Sequence, residues 1–205
     1  MKHSDKIIQS AQRTIDIESK AISGLRAQID ASFAQAVETI FLSNGRLIVT
    51  GIGKSANIAN KIVATMNSTG TPAVFMHAAD AIHGDLGIVQ KNDTVLAISH
   101  SGNTPEIKAL LPLIKNMGNT LVGLTAKRDS YLGLQSDYVL CTDVEEEACP
   151  NNLAPTSSTT AQLVMGDAVA VALLELRDFS SADFARYHPG GSLGKRLYVT
   201  VGDLY

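Results

Sequence analysis

Val95-Leu96-Ala97-Ile98 is a short unbroken apolar run that stops against Ser99-His100-Ser101-Gly102-Asn103-Thr104-Pro105-Glu106. Such a run is the pattern of a parallel strand covered on both faces. The turn after it crowds three hydroxyls, Ser99, Ser101 and Thr104, into six residues. Gly102 lets the backbone turn tightly, and Pro105 suits the first turn of a helix, where no amide donor is needed. Free amides at a helix start, the positive end of the dipole and converging hydroxyls make an anion site without any Lys or Arg. One hydroxyl there is an ordinary cap. Three beside a glycine favour a phosphate cradle.

The rest of the chain repeats the strand-to-helix rhythm. Residues 4–43 have helical spacing, through Ile7, Ala11, Ile15, Ile22, Leu25, Ile29, Phe33, Val37 and Ile40. Gly24 and Asp30 offer breaks, with Asp30 as the cap of a second helix and Gly45 as a left-handed residue closing it. Strands are expected at 46–50, 73–76, 94–98, 120–124 and 138–141. Helices are expected to about residue 67, over 105–116, from 155 to about 177, and over 182–187. Residues 77–86 read as irregular and 143–155 as a loop. This alternation means a parallel sheet wound with right-handed crossovers. Ligands on such sheets sit at the carboxyl ends of the strands, where 51–55, 77–85 and 99–104 all fall.

Composition narrows the function. The chain has 205 residues, 45% of them apolar, enough for one α/β domain with a sizeable core. No apolar run approaches the roughly 20 residues of a membrane span, and no signal peptide is evident. Net charge is −3 with no basic tract, which argues against nucleic acid as a partner. Cys141 and Cys149 do not form a C-x-x-C pair, so a reduced, cytoplasmic compartment is the default and packing their expected role.

Gly53-Lys54-Ser55 ends like a P-loop, but Ile48 stands where that motif needs glycine, which counts against a nucleoside triphosphatase. Gly51-x-Gly53-x-x-Ala56 fits the loose dinucleotide fingerprint, but the second strand ends in Met76-His77 rather than the ribose-binding acid, leaving an oxidoreductase as the weaker reading. What survives is a glycine turn carrying Lys54 and Ser55 into the site. His77, His83 and Asp85 read as hydrogen-bonding groups, with a divalent metal as the minority view. His100 alternates away from the cradle and reads as structural. Glu106 reads as a helix-dipole acid, Glu147 as part of a solvated acidic loop, and His188 as a turn histidine reaching a site of its own or a neighbouring chain. Thr156-Ser157-Ser158-Thr159-Thr160 is a second hydroxyl cluster at a helix start.

Taken together, Gly51–Ser55, Ser68–Pro72, His83–Gly87, Ile98–Gly102, Glu147–Pro150, Leu153–Ala161 and His188–Gly191 match one family in order. Over nearly its whole length the chain resembles the sugar-isomerase (SIS) domain of the arabinose-5-phosphate isomerases. The Ser-x-Ser-Gly loop is common to phosphosugar isomerase domains; the Glu-Ala-Cys-Pro to Thr-Thr-Ala block and His-Pro-Gly-Gly are more specific.

The resemblance implies a three-layer αβα sandwich with a five-stranded parallel sheet of flavodoxin-like winding, in a homotetramer with shared sites. It implies an aldose–ketose isomerase acting on D-ribulose 5-phosphate and D-arabinose 5-phosphate through an enediolate, at the entry to the 3-deoxy-octulosonate of lipopolysaccharide or capsule. Lys54, Glu106, Glu147 and His188 fall on the catalytic positions. Ser55, Gly70, Thr71, His77, His83, Ser99, Ser101, Thr104, Ser157, Ser158 and Thr159 form the substrate-binding set. No cofactor is required, and His77 falls on a position that meets an inhibitory zinc. Glu147 is the expected enediolate base, His188 the ring-opening group, Lys54 the oxyanion partner and Glu106 an orienting or proton-sharing acid. Family members commonly continue into CBS domains, so a single-domain, stand-alone form over 1–205, with 1–43 as N-terminal helices, is the expectation. Another phosphosugar isomerase and a phosphosugar-binding regulatory module are the alternatives.

Overall fold

The computed structural model describes residues 3–189. One sheet of five parallel strands organises it: β1 (Leu47–Gly51), β2 (Ala73–His77), β3 (Thr94–Ile98), β4 (Thr120–Thr125) and β5 (Tyr138–Cys141). The order is β2-β1-β3-β4-β5, the flavodoxin-like winding. In register, Gly51 lies beside His77 on one side and Ile98 on the other, so the loops after β1, β2 and β3 emerge at one edge.

The helices are α1 (His3–Leu25), α2 (Ala31–Leu42), α3 (Lys54–Ser68), α4 (Ala78–Ala81), α5 (Pro105–Asn116), α6 (Tyr131–Gln135), α7 (Ser157–Leu176) and α8 (Ser181–Tyr187). The two-residue period of a strand splits the core into two layers. Leu47, Val49, Leu96, Ile98, Val122 and Leu124 face α2, α3 and α7. Ile48, Val95, Ala97 and Leu121 face α4, α5 and α6. Every residue of β1 and β3 is buried, which is why both read as unbroken apolar runs.

Asp30 caps α2 as expected, accepting from the Phe33 amide at 3.2 Å. Gly45 does not take the left-handed conformation expected of it; extended Ser43 ends α2 instead. The glycine is needed for space, because a Cβ there would fall 2.1 Å from the Asn92 carbonyl oxygen. The short α4, α6 and the 3-10 turn Asp85–Ile88 were not expected. Five residues are too few to show a period, and α6 is set by the Ser130 cap, which accepts from the Gly133 amide. Helix α7 reaches the length and hydropathy of a membrane span, contrary to the expectation of no such run. Its Ala161, Met165, Val169, Ala170 and Leu173 are buried in the core against the sheet and its neighbouring helices.

At the amino ends of β1 and β3, Arg46 and Asp93 lock the strands together. Arg46 donates to Asp93 from its amide (2.8 Å) and from Nη2 (2.7 Å), and the Gln90 amide donates at 2.9 Å. Burial pushes the Asp93 carboxyl up, but these donors outweigh it and hold the group below the ordinary carboxylate range.

Candidate functional site

The strand order reverses between β1 and β3, and a cavity of about 480 Å³ opens at their carboxyl ends. Ile52, Lys54 and Ser55 line it from the β1–α3 turn; Ser99, His100, Ser101 and Thr104 from the β3–α5 turn. Glu147, Asn152, Leu153 and Pro155 close it from the loop after β5, with Ser158, Thr159 and Gln162 from α7.

The cradle is built by its own hydroxyls. Ser99 Oγ and Thr104 Oγ1 are hydrogen-bonded at 2.8 Å, and the Gly102 amide donates to Ser99 Oγ at 3.2 Å. Gly102 has φ +63°, and a Cβ there would fall 1.9 Å from Ser130 Oγ, so glycine is required on both counts. Thr104 stands at the N-cap of α5 but its hydroxyl caps nothing. Gly53, the N-cap of α3, has no side chain to offer. Two helices therefore begin beside the cavity without a side-chain cap, and their first amides are left for a ligand. Lys54 adds a cation that makes no ion pair among the described residues.

Glu147 is held differently from a solvated acid. Its Oε2 accepts from the Thr156 amide (2.7 Å), the Thr156 hydroxyl (3.0 Å) and the Ser158 amide (3.2 Å). It serves as the missing cap of α7. Burial pushes its carboxyl up, but the Ser158 hydroxyl and the amides of Thr156 and Ser158 outweigh that and hold it below the ordinary value. In the same loop the thiol of Cys149, expected only to pack, is lowered by the backbone amides of Ala154, Leu153 and Asn151.

Eight expected residues thus meet at one cavity: Lys54, Ser55, Ser99, Ser101, Thr104, Glu147, Ser158 and Thr159. Others do not line it. Glu106 lies in the first turn of α5. Ser157 is fully buried under the start of α7. His77 ends β2 with Nδ1 3.4 Å from Asp80 Oδ2, and His83 is exposed beyond that edge strand. Among the described residues no three His, Cys, Asp or Glu side chains converge as a metal site. His77 and Asp80 supply two donors, so this chain's described residues do not by themselves fit a bound zinc.

Gly70 and Thr71 lie at the opposite end of the sheet, before the start of β2, because they belong to the turn entering that strand. Gly70 leaves room for the Phe179 ring, and Thr71 Oγ1 accepts from Arg177 Nε at 3.2 Å. His188 lies at that same end. Helix α7 starts at the cavity and its 20 residues run about 30 Å. Tyr187 stacks on Phe179 at 5.8 Å, and His188 stacks on Phe184 at 3.9 Å with Nδ1 2.8 Å from the Phe184 carbonyl. Residues 190–191 of the His-Pro-Gly-Gly motif, and the 201–205 tail, lie outside the described residues.

Two residues were missed. His100, read as facing away, lines the cavity because strand alternation ends at Ile98. Gln162 sits one helical turn after Ser158, a spacing that would have placed it on the same face.

A parallel sheet with a hydroxyl-lined, helix-start cavity at its switch point defines an α/β domain with an anion-type site at the carboxyl ends of its strands. Residues 40–172 match the SIS domain, and the chain belongs to that family. The arabinose 5-phosphate isomerase KdsD of Pseudomonas aeruginosa is 52% identical over 197 residues, 96% of this chain and 60% of that protein. KdsD of Escherichia coli K12 is 46% identical over 196 residues, again 96% and 60%. The chain therefore spans about 60% of the length of these curated relatives. A solved structure of the Escherichia coli CFT073 protein c3406 in complex with arabinose 5-phosphate is 42% identical with a TM-score of 0.88, over 92% of this chain and 100% of that one.

Proposed function

We propose that this chain interconverts D-ribulose 5-phosphate and D-arabinose 5-phosphate through an enediolate. The observation that carries the reading is the cavity itself: two uncapped helix starts, the hydroxyls of Ser55, Ser99, Ser101 and Thr104, and Lys54, without an ion pair among the described residues, lining the same cavity as a carboxylate, Glu147. The relatives named for this isomerisation supply the substrate. The first group of residues holds the phosphate. Glu147 takes a proton from C1 of the ketose and returns one to C2, while Lys54 stabilises the oxygen that gains charge. Glu106, in the first turn of α5 and outside the cavity lining, orients rather than touches. The product suits a supply of 3-deoxy-octulosonate for lipopolysaccharide or capsule, and a cytoplasmic location.

The same reading makes the site shared. His188, the proposed ring-opening group, lies at the far end of its own chain from the cavity. It serves the cavity of another copy in a homotetramer. Exposed Ile8, Ile15 and Ile22, one heptad apart along α1, support an association of copies. Gly70, at the same end as His188, meets a neighbour's substrate by the same route, with Thr71 buried against Arg177.

One observation favours a second reading, a phosphosugar-binding module without catalysis: Glu147 is engaged as a helix cap with a lowered pKa, the state of a poor base. Turnover separates the two. Isomerisation assayed against pentose and hexose phosphates is expected with ribulose 5-phosphate. Binding without turnover supports the module, and preference for a six-carbon substrate overturns the assignment.

A further inference from the structure

Gln162 is fully buried, lies on the cavity wall, and accepts from the Ser55 hydroxyl at 3.2 Å through Oε1. Its Nε2 has no partner among the described residues. A buried amide donor without an acceptor is disfavoured, more so than a bare carbonyl oxygen. The arrangement also works against an anion. A phosphate group at neutral pH has little to donate, so whatever holds it must donate. With its proton directed to Gln162, Ser55 turns only lone pairs toward the cavity.

Turning the terminal amide of Gln162 by half a revolution reverses this. Nε2 then donates to Ser55 Oγ, and the Ser55 proton is free for the anion. Amide nitrogen and oxygen are alike in shape, so the buried packing is unchanged. We propose that Gln162 is a positioning residue for anion binding: with an oxyanion in the cavity its Nε2 donates to Ser55 Oγ, which leaves the Ser55 proton for the anion. This deepens the phosphosugar reading of the cavity and rests on it. No bond to substrate is made by Gln162, and the hydroxyls and amides of the β3–α5 turn bind the anion independently of it.

The test is a double-mutant cycle on the full chain with inorganic phosphate as the probe, its Kd read by calorimetry. Gln162→Glu keeps the shape but offers Ser55 only acceptors, and weakens phosphate binding about 10- to 100-fold. In a Ser55→Ala background the same change costs less, only its charge repulsion remaining. Gln162→Met, which is neutral and cannot hold the Ser55 proton, weakens binding less than Gln162→Glu, and its loss also vanishes without Ser55. The Met variant carries the cycle if the Glu variant does not fold. Losses that add fully in both backgrounds overturn the proposal, since charge repulsion or packing acts without Ser55. Isomerisation followed alongside keeps the readings apart: turnover with additive losses overturns the role of Gln162 alone, whereas a wild-type chain that neither binds phosphate nor turns over removes the phosphosugar reading beneath it.

Discussion

The Glu147 carboxylate accepts both the amide and the hydroxyl of Thr156, at 2.7 and 3.0 Å, so the proposed base is also the cap of helix α7. The Ala148 amide returns a bond to Thr156 Oγ1 at 2.8 Å, and the Asn152 side chain accepts from the Glu147 amide at 2.7 Å. The acidic loop is thereby fastened to the helix whose first turn lines the cavity. For Glu147 to act as a base, substrate must bury it further or draw it off the helix end, and either raises its pKa.

Replacing Glu147 with Gln separates the two duties. The amide still accepts hydrogen bonds, so stability should fall by only about 1 kcal/mol, the scale of a weakened cap. Turnover should fall by about two to four orders of magnitude, the scale of a lost acid–base group. Near-normal turnover in a folded Glu147→Gln protein means that Glu147 only caps.

The pH dependence of stability has a defined sign. Glu147 and Asp93 both have native pKa values below their ordinary ones. A group lowered on folding stabilises the native state above its unfolded pKa, about 4.3 for Glu and 3.9 for Asp, and loses that contribution as pH falls through the lowered native value. Melting temperature should therefore drop as pH falls below about 4.3, and Glu147→Gln should flatten part of that drop. An unchanged acid limb in the variant contradicts the assignment.

Gly102 tests the cradle. Alanine there must hold φ near +63° with its Cβ inside Ser130 Oγ. Backbone strain of about 1–3 kcal/mol and the clash should lower the melting temperature by several degrees. The KM for a phosphosugar should rise more than kcat falls, because the turn presents amides and hydroxyls to the phosphate.

Asp93 provides the control away from the cavity. Asp93→Asn weakens charge-assisted bonds from Arg46 and should cost about 2–3 kcal/mol of stability, read by chemical denaturation. Because the pair lies at the amino ends of the strands, kcat/KM below the transition should stay near the unaltered value.

A shared site predicts complementation. His188→Ala and Glu147→Gln proteins, each impaired alone, should regain part of the activity when unfolded and refolded together. Assemblies containing both chains can form a cavity with an intact Glu147 and a partner's intact histidine. No recovery in demonstrably mixed assemblies contradicts the sharing.

Much of the fold was legible because its central strands are covered on both sides. Thr94–Ile98 falls within the bounds expected of it, as does the edge strand Tyr138–Cys141, and Asp30 caps α2 as its type and position required. The cradle was legible because it is local: Ser99, Ser101 and Thr104 come from one turn. Glu147 was named only through resemblance, since its partners lie on another element, 9 and 11 residues on. Gly70 and Thr71 were placed in the site by resemblance as well, and His188, read from its turn only as reaching a site of its own or a neighbouring chain, was assigned its role by resemblance. One chain's geometry puts them at the other end of the sheet, a relation no local pattern can show. Gln162 escaped although its four-residue spacing from Ser158 puts it on the cavity face of α7, because a glutamine within an apolar helix is not singled out until Ser55 is found opposite.

The account is tested most directly by following ribulose 5-phosphate and the purified chain in deuterium oxide by proton NMR. It predicts that arabinose 5-phosphate forms and that deuterium enters at its C2 as the reaction cycles, with both processes suppressed in Glu147→Gln. Ribulose 5-phosphate that stays unchanged, or isomerises over many turnovers without deuterium at C2, contradicts it.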